Sequence, residues 1–305
     1  MMLEIKDVSV SFGQATAIDR VSFTVRENTT TVVIGESGSG KSVMLCAIMH
    51  ILPPSARITG SILLDGEELL SKTEKQMQQL RGNALSYIPQ GSGTSMNPLL
   101  TVGYQVAEPL IEKKGEKKRP ALAKAVAWMQ SLSLGNEAAL AASYPHTLSG
   151  GMRQRALIAM GAISGAPMLL ADEPTKGLDG ERVETVTELF HQLRDRTVLC
   201  VSHDLNFARA IGDDICVMYA SQMVEACSAK DFFAGPLHPY SRMILMAMPE
   251  NGLQASLGFA PPQADRAKGG CLFYSRCPHA SRRCLEMPPL VEKGSRKVRC
   301  WQYAD

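Results

Sequence analysis

At 305 residues, 45% hydrophobic and 20% charged, the chain is globular and long enough to bury a substantial core, in one large domain or two smaller ones. A formal charge of +2 supplies no strongly basic face, so no nucleic-acid partner is expected. No apolar stretch approaches the roughly 20 residues that cross a bilayer, and Met1-Met2-Leu3-Glu4-Ile5-Lys6-Asp7 lacks the apolar core of a signal peptide, so membrane association is expected only through partner subunits.

Leu3–Phe12 alternates apolar and polar residues, with a slip at Asp7, and Ile18–Val25 repeats the pattern. Both predict antiparallel strands of a small sheet. Thr31-Val32-Val33-Ile34 is a short continuous apolar run, as expected of a buried parallel strand. It leads into Gly35-Glu36-Ser37-Gly38-Ser39-Gly40-Lys41-Ser42, a complete G-x-x-x-x-G-K-[ST] phosphate loop, and Ser42–Ile51 then has helical character. In that strand–loop–helix setting the backbone N–H groups of Gly35 to Gly40, with Ser37, Gly38 and Ser39 between, converge on phosphate oxygens. The helix adds its positive end. Lys41 neutralises β/γ-phosphate charge, and the Ser42 hydroxyl joins a Mg²⁺ shell.

Ser61–Leu64 and Ala84–Ile88 predict further strands, the second followed by Pro89 and Gln90. From about Thr101 to Ser143 the composition is helical, with breaks expected at Pro109 and Pro120; Lys113, Lys114, Lys117, Lys118 and Arg119 read as a solvated face and loop. Leu148-Ser149-Gly150-Gly151-Met152-Arg153-Gln154 leads a helix over Gly150–Ile163. Met168–Asp172, Val198–Ser202 and Ile215–Met218 predict strands alternating with helices around Glu181–Arg194 and Leu205–Ile211. Alternation of this kind implies a parallel core sheet with ligand at the strand carboxyl ends. Asp172 ends one such strand, Glu173 follows it pointing to a different side, and His203 follows another.

Beyond Glu250 the pattern stops. Asn251–Gly270, rich in Gly and Pro, reads as a linker. Of eight cysteines, Cys46, Cys200, Cys216 and Cys227 sit in apolar segments and read as core residues. Cys271, Cys277, Cys284 and Cys300 are spaced C-x5-C-x6-C-x15-C in a polar tail, where a metal site is the better reading than disulfides in a reducing cytosol. Four thiolates suit tetrahedral Zn²⁺, but there is no C-x2-C knuckle, and the Cys277-Pro278 step fits a 4Fe–4S cubane better.

The phosphate loop, the Leu148–Gln154 stretch and Met168–Glu173, in that order, resemble the ATP-binding cassette (ABC) ATPases over about residues 1–250. The resemblance implies an α/β cassette with a parallel core sheet, an antiparallel β subdomain and a helical subdomain at about 91–164, followed by a small cysteine-rich extension over 251–305. It implies ATP and Mg²⁺ as ligands, the metal held by Ser42, Gln90 and Asp172. Glu173 is then the general base, His203 the switch histidine on the γ-phosphate, and Phe12 the aromatic on adenine. Ser149, Gly150 and Gly151 form the signature, and Ser149 and Gly151 reach the nucleotide of a second ABC subunit. Gly177-Leu178-Asp179 matches the D-loop, although Lys176-Gly177 replaces the more usual Ser or Thr with Ala.

Ser95-Met96-Asn97-Pro98, Pro236-Leu237-His238-Pro239-Tyr240-Ser241-Arg242 and the cysteine tail resemble one branch, the ATPase subunits of oligopeptide, dipeptide and nickel importers. That branch implies two transmembrane permease subunits, an extracytoplasmic binding protein, a place at the cytoplasmic face of the membrane, and pairing of two different ATPases in preference to two copies of one. Several of its members carry a 4Fe–4S cluster on this tail. Other readings are an accessory ATPase of a soluble assembly such as a phosphonate lyase, and a regulatory iron–sulfur protein that binds ATP without transport. The intact Glu173 and His203 argue against an inactive cassette, and the Ser95–Pro98 loop favours the importer.

Overall fold

The computed structural model describes residues 1–91, 95–132, 137–253, 258–262, 266 and 269–304. Its elements begin with strands β1 (Leu3–Phe12), β2 (Ala15–Val25) and β3 (Thr30–Gly35), helix α1 (Lys41–Ile48), strands β4 (Ala56–Leu64) and β5 (Glu67–Glu68), helix α2 (Glu74–Leu80) and strand β6 (Leu85–Ile88). A helical stretch follows, with α3 (Val102–Lys114), α4 (Lys118–Ser131), α5 (Glu137–Ala142) and α6 (Gly150–Ala162). Then come β7 (Met168–Asp172), α7 (Gly180–Gln192), β8 (Thr197–Val201), α8 (Leu205–Ile211), β9 (Asp214–Tyr219) and β10 (Gln222–Ser228). The chain closes with α9 (Ala229–Ala234), α10 (Pro239–Met246), β11 (Leu290–Lys293) and β12 (Arg296–Arg299). Two compact units are distinguished: one of Met1, Arg26–Thr30 and Ser71–Ile211, the other of Met2–Val25, Thr31–Leu70 and Gly212–Asp305.

In the first unit β6, β7 and β8 run parallel, with Ile88 opposite Ala171 and Asp172 opposite Val201. Every residue of β7 and β8 is buried, which is why both read as unbroken apolar runs. The three strands therefore end at one edge, and the chain leaves them at Gln90, Glu173 and His203. Caps fix the helix starts: Ser149 accepts from the Met152 N–H at α6, and Asp179 from the Arg182 N–H at α7. Pro109 lies inside α3 and does not break it. The missing N–H forfeits one bond, while Val102, Val106, Ala107 and Leu110 bury the same helix. The break falls at Gly115, whose φ of 67° ends α3, and Pro120 sits in the first turn of α4, where its missing N–H costs nothing.

In the second unit β2, β1, β4 and β5 form the expected small antiparallel sheet. Next to it in sequence, β3 pairs in parallel with β9, from Thr31 opposite Asp214 to Gly35 opposite Met218. Antiparallel pairings then carry β9 to β10, β10 to β12 and β12 to β11. The C-terminal hairpin thus extends the sheet that holds the phosphate loop's strand, with Val298 opposite Glu225. Parts of the linker expected over 251–270 (254–257, 263–265 and 267–268) lie outside the described residues, as do 92–94 and 133–136 of the expected helical subdomain.

Candidate active site

The phosphate loop is a cradle with no room for side chains at two of its glycines. A Cβ on Gly35 would lie 2.1 Å from the Met218 carbonyl oxygen, and one on Gly40, at φ +100°, 2.3 Å from that of Ala17. Glycine is required where backbone must come this close. Lys41 is buried and donates Nζ to the Gly35 and Glu36 carbonyls at 2.7 and 3.0 Å, so the loop's own carbonyls hold the cation at the head of α1. The Ser39 hydroxyl is buried with no hydrogen-bond partner among the described residues. A buried orphan hydroxyl beside such a cradle suits an anionic ligand rich in acceptor oxygens. Ser37 and Gly38 are exposed at the loop's tip, and Ser42 is half-buried on α1. Phe12, half-buried at the end of β1, pairs with Ala15 at the hairpin that carries Ala17 to Gly40.

The carboxyl ends of β6, β7 and β8 carry the other polar groups. Asp172 is buried and accepts a hydrogen bond from the Tyr87 hydroxyl at 3.4 Å. A buried carboxylate at a strand end is a donor set that fits a hard cation such as Mg²⁺. Glu173 is 8% exposed and adopts φ +50°, a left-handed conformation that costs a side-chain-bearing residue about 1–2 kcal/mol. Three bonds hold it there. Its N–H donates to the Val201 carbonyl at 2.9 Å, the His203 N–H donates to its carboxylate at 3.2 Å, and the His203 ring Nδ1 meets the same oxygen. Gln90 is half-buried two residues beyond β6, and its carbonyl accepts from the Ser95 hydroxyl at 3.2 Å. Ser149 and Gly150 are exposed at the start of α6, while Gly151 is buried against Leu178 and Arg182.

The four tail cysteines come together. Cys271, Cys277, Cys284 and Cys300 line one cavity of about 240 Å³. None of them is in a disulfide. Burial raises three of these thiols: Cys271 to about 11, with Cys277 and Cys300 also pushed up. Among the described residues, no group of three or more His, Cys, Asp or Glu side chains stands in metal-holding geometry. The four thiols supply the donor type of a four-thiolate site and share one cavity, but they do not stand in a coordination shell. Of the other cysteines, Cys200, Cys216 and Cys227 are buried and Cys46 half-buried.

Residues 18–176 match the family described as ABC transporter, and residues 224–284 match the oligopeptide/dipeptide transporter C-terminal region. The chain is 36% identical to the oligopeptide transport ATP-binding protein OppD of Salmonella typhimurium, over 95% of this chain and 90% of that one. It is 37% identical to AppD of Bacillus subtilis, an oligopeptide transport ATP-binding protein, over 95% and 92%. Identity to the dipeptide transport ATP-binding protein DppD of Haemophilus influenzae is 36%, over 98% and 94%. A dimeric, post-hydrolysis structure of the ATP-binding cassette MJ0796 with ADP and Pi superposes with a TM-score of 0.68 at 27% identity, covering 74% of this chain and 98% of that one.

The chain belongs to the ABC transporter family, in its oligopeptide/dipeptide branch. Its fold is the ABC ATPase cassette, and it is an ABC-type ATPase. Two residues of this cassette were not singled out from sequence. Gln154, on α6, donates Nε2 to the Pro174 carbonyl at 3.1 Å, and its Oε1 stands where a Cβ on Gly91 would be. It thereby touches the segment after Glu173 and the segment after Gln90. Gln105, buried on α3, accepts from the Asn97 N–H at 2.8 Å and donates to the Asn97 and Leu100 carbonyls at 2.9 Å. It fixes the loop that follows Gln90. The signal for Gln154 was its place in the Leu148–Gln154 stretch; Gln105 carried none.

Proposed function

We propose that this ABC ATPase is the subunit that drives peptide uptake through a membrane importer, at the cytoplasmic face of the membrane. The observation that carries the reading is the match of residues 224–284 to the oligopeptide/dipeptide transporter C-terminal region, with the chain beyond it built into the cassette sheet through β12 on β10 rather than hung from it. The relatives named above transport peptides, which favours peptides over nickel or a metal chelate as cargo. In this reading two permease subunits and an extracytoplasmic binding protein complete the importer, and the second ATPase is a different chain. A groove of about 720 Å³, lined by Leu99, Tyr104, Leu122, Val126 and Tyr144, supplies an apolar face for a permease segment. Leu99 is 81% exposed there.

Residues 1–250 act as the cassette, with the helical subdomain at about 91–164, and 251–305 as the extension. Gly35–Ser42 hold the triphosphate, and Phe12 stacks on adenine. Asp172, with Ser42 and Gln90, would hold Mg²⁺, which supplies charge neutralisation at the phosphates. Glu173 accepts the proton of the attacking water, and His203 keeps its carboxylate oriented. Ser149, Gly150 and Gly151 close on the nucleotide of the second ATPase. Cys271, Cys277, Cys284 and Cys300 would hold a 4Fe–4S cluster, with Zn²⁺ as the other occupant of the same thiols. Because the thiols must lose protons to bind either one, loading is expected to weaken as pH falls.

The test is the complete importer, reconstituted in liposomes with its binding protein. Peptide should stimulate ATP hydrolysis. Glu173→Gln should cut turnover by about 10²–10⁴-fold while ATP still binds. Parental turnover in that variant would remove Glu173 as the base, and ATPase activity indifferent to every peptide offered would remove peptide as the cargo.

A further inference from the structure

The phosphate loop carries an acid beside the place where a highly anionic ligand must sit. Glu36 directly follows Gly35, and its charge opposes triphosphate binding unless it is answered. Arg276, in the cysteine tail, answers it. The Arg276 side chain is 3% exposed and donates Nη1 to Glu36 Oε1 at 2.8 Å. The same nitrogen lies 3.3 Å from the Tyr219 hydroxyl, and the guanidinium stands 5.6 Å from the ring centroids of Tyr219 and Phe273. The Glu36 backbone is held as well, its N–H donating to the Tyr240 hydroxyl at 3.0 Å. A second tail arginine, Arg266, donates to Ser221 Oγ at 2.7 Å and lies 3.5 Å from the Gly38 carbonyl. Two tail arginines and one aromatic cluster thus reach the phosphate loop.

We propose that Arg276 is a positioning residue of the ATP site: it cancels the Glu36 charge and fixes the loop's first turn, so that the cysteine tail sets the affinity for ATP. The proposal rests on reading Gly35–Ser42 as the ATP-binding loop. A guanidinium buried this deeply is costly without its carboxylate, so the pair forms as a unit. The planar cation set beside two rings and a carboxylate is a geometry that lysine does not reproduce. The short turn Tyr274–Arg276 places the residue immediately before Cys277, so the loop's charge balance is set within one residue of the thiol cavity.

The experiment is equilibrium titration of the full chain with a fluorescent ATP analogue and Mg²⁺. Four proteins are compared: the parent, Arg276→Met, Glu36→Gln and the double variant. Arg276→Met should raise the Kd by about tenfold, the scale of one uncompensated charge near the phosphates. Glu36→Gln alone should bind at least as tightly as the parent. Glu36→Gln with Arg276→Met should return to within about threefold of it, because the unanswered charge is gone. A tail that merely loosened would weaken Arg276→Met and the double variant alike, and that outcome overturns the proposal. A Kd unchanged by Arg276→Met, in a parent that binds, overturns it too. A parent that binds no analogue removes the ATP reading of the loop first.

Discussion

Gly40 and Gly38 stand two residues apart in one loop, both at positive φ, yet their surroundings differ. A Cβ on Gly40 meets backbone oxygen at 2.3 Å, whereas one on Gly38, at φ +76°, meets nothing within 4 Å. Gly38→Ala should therefore cost only the left-handed strain, about 1–2 kcal/mol. Gly40→Ala must also push β2 away, so its melting temperature should fall well below that of Gly38→Ala and its ATP affinity by more than about tenfold. Equal melting of the two variants would show that β2 yields freely. His238 offers a second test at this scale. It is buried, caps α10 by accepting the Tyr240 N–H on Nδ1 at 3.0 Å, and lies near Arg242 and Arg299. Burial drives its pKa from 6.5 down to about 3. Since the fold keeps it neutral, the unfolded chain takes up a proton below about pH 6.5 that the native chain refuses. Stability should then drop by up to about 1.4 kcal/mol per pH unit between those two values. His238→Asn keeps a capping acceptor and does not titrate, so urea midpoints at pH 7 and pH 5 should differ less for it than for the parent.

Among the elements, the C-terminal hairpin is the one on which the tail's placement depends. Val298 is fully buried on β12, opposite Glu225, and Arg299 donates Nε to the Met223 carbonyl at 3.2 Å. Val298→Asp would place a second carboxylate against a buried one and should cost about 3–5 kcal/mol, read as a fall in the urea midpoint. A loss under about 1 kcal/mol would mean that the hairpin is not held by this strand pair. The hairpin was illegible in sequence because Leu290–Lys293 and Arg296–Arg299 are short and charged, and their partner strand lies far upstream. β10 was missed for a related reason. Its Glu225 interrupts the apolar pattern with a charge, and N–H groups distant in sequence, those of Leu237 and His238 at 2.7 and 2.8 Å, help to make its burial tolerable. By contrast, Thr31–Ile34, Met168–Asp172 and the strand before His203 are buried on both faces, so their apolar runs identified them directly. The candidate site divides the same way. The phosphate loop, Asp172, Glu173 and His203 announce themselves because each directly follows or closes such a strand. Arg276 does not, because the group it serves lies 240 residues away in sequence.

For the whole molecule, the decisive prediction concerns pairing. Ser149 and Gly150 are exposed at the N-terminus of α6, where backbone N–H groups and the helix dipole favour an anion, and among the described residues the Ser149 hydroxyl caps its own helix. A γ-phosphate presented by another ATPase would complete that helix end, and Glu173→Gln would preserve the closed state by stopping hydrolysis. Light scattering on sized fractions reads the outcome. In Mg²⁺ and ATP, the Glu173→Gln chain alone should remain monomeric, and an equimolar pair should form once the second ATPase of its importer is added. Adding Ser149→Arg should abolish the pair while lowering the melting temperature by only the few degrees that loss of one helix cap costs, because residue 149 is exposed and a long side chain there obstructs a partner. ADP in place of ATP should give no pair. If the chain closes on a second copy of itself, the two-ATPase arrangement gives way to a homodimer with the same half-sites. If ATP joins it to neither, Ser149 is only a helix cap, and hydrolysis must be completed within one chain.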